Sequence, residues 1–118
     1  MPKVGDQRTL TIAAGTILEN AMQGRRFERA PYLAKGWLYC TGSAAGILAE
    51  LNIGGRSVSP PINVNAQNRL PVVPDDLLFG DWLIAPGELL QITVQNPTAN
   101  PLDFNFKIEL EEQEVVEV

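Results

Sequence analysis

Histidine is absent from the 118 residues, and cysteine occurs once. Without histidine the chain has no imidazole base, no Ser/His or Cys/His nucleophile pair and none of the usual first-row metal sites. A single cysteine excludes an internal disulfide and any multi-cysteine zinc or iron–sulfur site. Cys40 lies in Trp37-Leu-Tyr-Cys-Thr, a strand-like context that predicts a small buried hydrophobe in preference to a nucleophile. Long apolar runs are also lacking. The longest, over residues 77–84, is broken by Gly80 and Asp81, and a membrane-spanning helix needs about 20 apolar residues. The start, Met1-Pro-Lys-Val-Gly-Asp, has no apolar h-region, so the expectation is synthesis in the cytoplasm and no membrane partner. Carboxylate-only hydrolysis and lysine chemistry survive these exclusions. The broader expectation is a chain that is not an enzyme and holds no cofactor.

Positive charge is scarce, and the formal net charge is −5. Residues 1–35 carry six basic groups against three acids, a balance of +3, and residues 36–118 carry three against eleven, a balance of −8. An acidic whole repels nucleic acid, and the cluster Gly24-Arg-Arg-Phe-Glu-Arg lacks the breadth of a phosphate-tracking surface, so no nucleic-acid partner is expected. The opposite-signed segments suit contacts between neighbours in an assembly. They equally suit a fold that mixes them across one surface.

What the chain does have is alternation. Leu102, Phe104, Phe106, Ile108 and Leu110 interleave with Asp103, Asn105, Lys107, Glu109 and Glu111, so a strand here buries the first set and turns the second to water. Gln7–Ile12, residues 36–41, residues 47–53 and residues 88–95 read as further strands. Thr16–Met22 fits a strand or a short helical turn equally well, and residues 25–29 read as a strand that Pro31 breaks. Gly54-Gly55 predicts a type I′ hairpin whose return strand ends at Pro60-Pro61 before a short extension at Ile62 and Val64. Ala85-Pro-Gly-Glu predicts a type II turn. The strands over 88–95 and 102–111, joined by Asn96-Pro-Thr-Ala-Asn-Pro, are expected to form an antiparallel pair with each other. Seven to nine strands at intervals of roughly 8 to 12 residues predict an all-β fold, a single antiparallel β-sandwich of jelly-roll-like form. One domain covers residues 1–118, with a flexible N-terminal segment and an acidic, frayed tail beyond Glu112.

Chemistry-bearing groupings are few. Asp75 and Asp76 with Asp81 offer oxygen ligands to a hard cation, but the spacing matches no calcium loop and Asp after Pro74 is an ordinary turn former or N-cap, so no metal is expected. The same carboxylates, or Glu50 with Glu88, are formal acid/base pairs of a kind that any acidic sandwich supplies. Among the eight aromatics, Phe104 and Phe106 belong to the core face and Trp37 with Tyr39 are expected there too. Tyr32 and Trp82, beside turn formers, are freer. They suit packing or subunit contact, or a sugar-binding platform. Arg69, in a proline-rich loop, suits a fork onto a carboxylate or backbone carbonyls of its own or an adjacent subunit.

The hairpin Leu51-Asn-Ile-Gly-Gly-Arg-Ser-Val, the loop Asn68-Arg-Leu-Pro-Val-Val-Pro-Asp-Asp and the stretch Pro86-Gly-Glu-Leu-Leu-Gln-Ile-Thr-Val-Gln-Asn-Pro resemble small structural proteins of bacterial viruses, over about residues 45–110. The resemblance rests on strand order and turn phrases. It implies a virion component of capsid, decoration (cement) or vertex type, assembled in the host cytoplasm from copies of itself, with trimers among the forms, and bound to a major shell protein. Arg25, Arg26, Arg29, Arg69, Asp75, Asp76 and Trp82 are the interface candidates under this reading. A module binding carbohydrate or a receptor is the alternative.

Overall fold

The computed structural model describes residues 3–66 and 76–113. Among these residues nine strands follow one another: β1 (Lys3–Ile12), β2 (Thr16–Leu18), β3 (Ala34–Gly42), β4 (Leu48–Ile53), β5 (Arg56–Asn63), β6 (Asn65–Ala66), β7 (Leu77–Ile84), β8 (Leu90–Asn96) and β9 (Leu102–Glu112). Their pairing is nested: β1 with β9, β2 with β8, β3 with β7 and β4 with β5, all antiparallel. Only the two-residue β6 runs parallel to its partner, at Thr41 and Gly42 of β3. One sheet runs β1-β9-β3, with β7 and β6 sharing the far side of β3, and the other runs β2-β8-β4-β5. First strand on last, second on second-last, rolled into two facing sheets, is the jelly-roll wrap.

The reason is the one-sided apolar face of each strand. Phe104, Phe106, Ile108 and Leu110 of β9 and Leu38 and Cys40 of β3 face Leu51 and Ile53 of β4 and Ile92 and Val94 of β8, all essentially without solvent contact. Each such side chain contributes about 1.5–3 kcal/mol by leaving water. Burial pushes the Cys40 thiol up, well away from the thiolate range, in keeping with its place as a core hydrophobe.

The expected pairing of β8 with β9 does not occur. β8 lies between β2 and β4, and β9 between β1 and β3, so the two strands sit in opposite sheets with their apolar faces across the core from each other. Alternation alone fits either arrangement, and here each strand's apolar face is covered by the other's sheet. The crossing between sheets is organised by Asn96, which is fully buried. Its Nδ2 donates to the carbonyls of Ile12 (3.0 Å) and Asn100 (2.8 Å), and its Oδ1 accepts from Thr98 N (3.1 Å) and Thr98 Oγ1 (2.6 Å). Both amide donors and both acceptor positions are used.

Other expectations hold or shift for local reasons. Gly54 and Gly55 have φ of 58° and 84°, the left-handed pair that a type I′ turn requires, and Gly87 at 79° with Glu88 N donating to Ala85 O (3.1 Å) closes the type II turn. Pro60-Pro61 does not end the return strand; β5 continues to Asn63, and a register shift opposite residues 49–51 accompanies the prolines. As β5 is an edge strand, its sheet tolerates residues that donate no ladder bond. After Leu18 the chain leaves the strand for turns. Residues 25–29 form no strand apart from one bridge between Arg29 and Leu89, and this segment instead drops Ala21, Met22 and Phe27 into the core.

Trp82 departs from its expected freedom. The ladder between β3 and β7 shifts register between Gly36 and Trp37, and Asp81 takes a left-handed φ of 58° beside the shift. The bulge turns the Trp82 ring inward over Gly36, leaving it 4% exposed. A Cβ at residue 36 would stand 2.2–2.5 Å from three ring carbons, so glycine is what the contact requires.

Two outcomes follow. Asn96→Ala removes the side-chain partner of the Ile12 carbonyl and of the Thr98 backbone N, while the Asn100 carbonyl keeps the Thr98 hydroxyl, and is expected to cost about 1–3 kcal/mol in urea unfolding. Gly36→Ala overpacks the indole, with a cost of about 1–3 kcal/mol; in a Trp37→Phe background it is expected to red-shift the Trp82 fluorescence, and an unshifted spectrum would contradict the contact.

Candidate functional site

The outward positions of β1, β9 and β3 fall into rows. Lys3, Glu111 and Lys35 form one; Gly5, Glu109 and Trp37 the next; Gln7, Lys107 and Tyr39 the third; Thr9, Asn105 and Thr41 the fourth. All three lysines of the chain therefore stand on one sheet face. β7 extends the face, because Leu83 is in register with Lys35 and Leu77 with Tyr39, and these leucines are 59% and 41% exposed. From β1 to β7 the surface passes from charged and polar to aromatic to aliphatic.

Trp37 and Tyr39 were expected in the core; they lie on this outer face, half-buried. Both phases of Trp37-Leu-Tyr-Cys are apolar, so alternation alone does not say which phase points inward. The register with β9 assigns Leu38 and Cys40 to the core, opposite Ile108 and Phe106. Lys3 reaches across the side-chain-free Gly5, its Nζ 3.7 Å from Glu109 Oε2 and 4.1 Å from the centroid of the Trp37 ring. Lys107 Nζ stands 3.2 Å from Glu109 Oε1 and 5.9 Å from the Tyr39 ring. Glu109 thus gathers two ammonium groups that also cover the two aromatic rings. Below them runs a hydroxyl and amide ladder: Thr9 Oγ1 donates to Asn105 Oδ1 (2.8 Å), Asn105 Nδ2 donates to Thr41 Oγ1 (3.2 Å), and Thr11 Oγ1 donates to Asp103 Oδ1 (2.8 Å). These polar β9 residues do not simply meet water, since Asn105 is buried and the others up to Glu111 are partly covered.

The arginines singled out in the sequence go to separate partners. Arg25 forks onto Asp6, Nε to Oδ2 at 2.9 Å and one terminal nitrogen to Oδ1 at 2.7 Å, and it also donates to the carbonyl of Gln7 (3.1 Å). The guanidinium holds the Asp6 carboxyl below the usual carboxylate value. Arg26 is exposed with its guanidinium over the Phe27 ring at 5.1 Å, and Arg29 donates to the carbonyl of Gly87 (3.0 Å). Arg25 is therefore committed within its own chain. Trp82, as the bulge requires, is a core side chain and offers no surface for contact or sugar stacking. Asp76 is buried, whereas Arg69 and Asp75 lie outside the described residues.

Among the described residues no group of three His, Cys, Asp or Glu side chains could hold a metal ion. Glu50 accepts from Ser57 Oγ (3.0 Å), and Glu88 accepts from the backbone N of Ala85 (2.8 Å) with Arg56 3.6 Å away, so the two carboxylates serve separate local contacts. A shallow dent at the β2–β8 end is lined by Gly15, Thr16, Ile17, Gln95, Asn96 and Pro97, with no ionisable group.

The Asp6–Arg25 fork sets a pH dependence. Asp6 has a folded pKa lowered from 3.8, so its contribution to stability is present above that value and is lost as pH falls through the lowered folded value. Arg25→Ala is expected to lose about 1 kcal/mol at neutral pH, a modest figure because the pair is partly exposed. The gap between variant and parent should close in acid, as read by urea midpoints across the pH range. Comparison of the chain with protein-family models and with curated proteins returns no match, so the reading of its function rests on this geometry.

Proposed function

We propose that the chain is a non-catalytic structural protein of a bacterial virus, a capsid, cement or vertex component that works by self-assembly and by binding other shell proteins. The observation that supports it best is the outer face of the β1-β9-β3-β7 sheet, where half-buried Trp37 and Tyr39 adjoin exposed Leu77 and Leu83 and a field of both charge signs. Interface cores favour tyrosine and tryptophan inside a polar rim, and large exposed apolar side chains beside them extend the area available to a partner. A single, buried cysteine suits assembly in a reducing cytoplasm. The carbohydrate alternative loses the two aromatics the sequence offered it: Trp82 is buried and Tyr32 packs against the core.

In native mass measurement the purified chain is expected to run as an oligomer, and in co-sedimentation it should bind emptied particles of its virus. A strict monomer that binds no shell component would overturn the proposal.

A further inference from the structure

We infer that a second copy of this chain docks on the outer face of the β1-β9-β3-β7 sheet, in a twofold pairing that sets Lys107 of one copy against Glu109 of the other. The inference rests on the reading of the protein as a self-assembling component and names the surface through which it assembles.

Charge is the first argument. The chain carries −5 overall, so two copies repel across most of their surfaces. This face is balanced. Among the outward positions of β1, β9 and β3, Lys3, Lys35 and Lys107 stand with Asp103, Glu109 and Glu111, three charges of each sign, Lys3 and Lys35 both in register with Glu111. Phosphate-rich partners gain nothing from a patch whose cations are each matched by a carboxylate.

Symmetry is the second. A twofold contact must be self-complementary, residue i of one copy meeting residue j of the other and the reverse. Glu109 and Lys107 are consecutive outward residues of β9, 3.2 Å apart and of opposite sign. An axis between them exchanges the two positions, so each Lys107 meets a Glu109 twice over and four alternating charges close a square. Trp37 and Tyr39 lie in the same two rows on β3 and fall beside that square, where aromatic anchors concentrate binding energy.

Two of the sheet edges compete poorly for the same role: β5 carries Pro60-Pro61, and on β1 the carbonyl of Gln7 already accepts from Arg25.

The test uses the full chain with Lys107→Glu and Glu109→Lys, each made singly, and sedimentation equilibrium as the readout. Each variant alone sets like charges together across the axis and is expected to weaken self-association at least about tenfold. Mixed one to one, the doubly acidic face meets the doubly basic one, and association should return. Loss of the in-chain ion pair alone would lower the melting temperature of each variant without producing this rescue. If the parent associates and both variants match it, the face is wrong while the assembly reading stands. The same holds if the parent binds shell protein but never itself. A parent that is monomeric and binds no shell component would overturn both.

Discussion

Everything in this molecule hangs on β9 having two finished edges and two finished faces. Its backbone pairs with β1 along ten residues, Lys3 to Ile12, and with β3 along nine, Ala34 to Gly42. Its inward side chains, from Leu102 to Leu110, form one wall of the core, and its outward ones form the spine of the candidate site. The strand is thus the shared member of core and surface, and a register slip of one residue would exchange the two. The nested wrap follows from this. Once the last strand is fixed beside the first, each earlier pair closes inside it.

The places where the chain must cross or turn are held by single polar or small residues. Asn96 replaces a stretch of backbone ladder at the crossing between sheets by satisfying two carbonyls and two donors with one side chain. Gly36 gives up its side chain so that the Trp82 ring can lie on the backbone of β3, and Asp81 accepts a left-handed conformation that aspartate tolerates better than most residues. The Arg25 fork onto Asp6 serves a similar end, pinning the turn-rich segment after β2 to the edge strand β1.

With the core and the crossings accounted for, the outer face of the larger sheet is what remains chemically distinctive. Three lysines drawn from distant points of the sequence meet acids and two aromatic rings there. Each lysine there has a carboxylate on the same face, and the pattern is one of matched charges around two aromatic rings.

Much of the fold could be read directly from residues. The error-free alternation of β9, the two-glycine hairpin and the Pro-Gly turn act over a few neighbouring positions, where side-chain direction and φ preference suffice. The sandwich class follows from counting such signals. Which strand lies beside which does not, because β8 and β9 have the same pattern whether they pair at an edge or face each other across the core. Trp37 and Tyr39 were misplaced for the same reason: in a central strand whose two faces are both apolar, the inward phase is set by the partner strands. The candidate site escaped the sequence because Lys3, Lys35 and Lys107 are far apart in the chain and adjoin only through the ladders of β9. The sequence by itself determined most strands and turns, the inward face of β9 and the absence of imidazole, since these depend on local conformation and residue identity. Pairing order, register and the face shared by the three lysines were decided by tertiary structure alone, because they depend on which apolar surfaces cover each other.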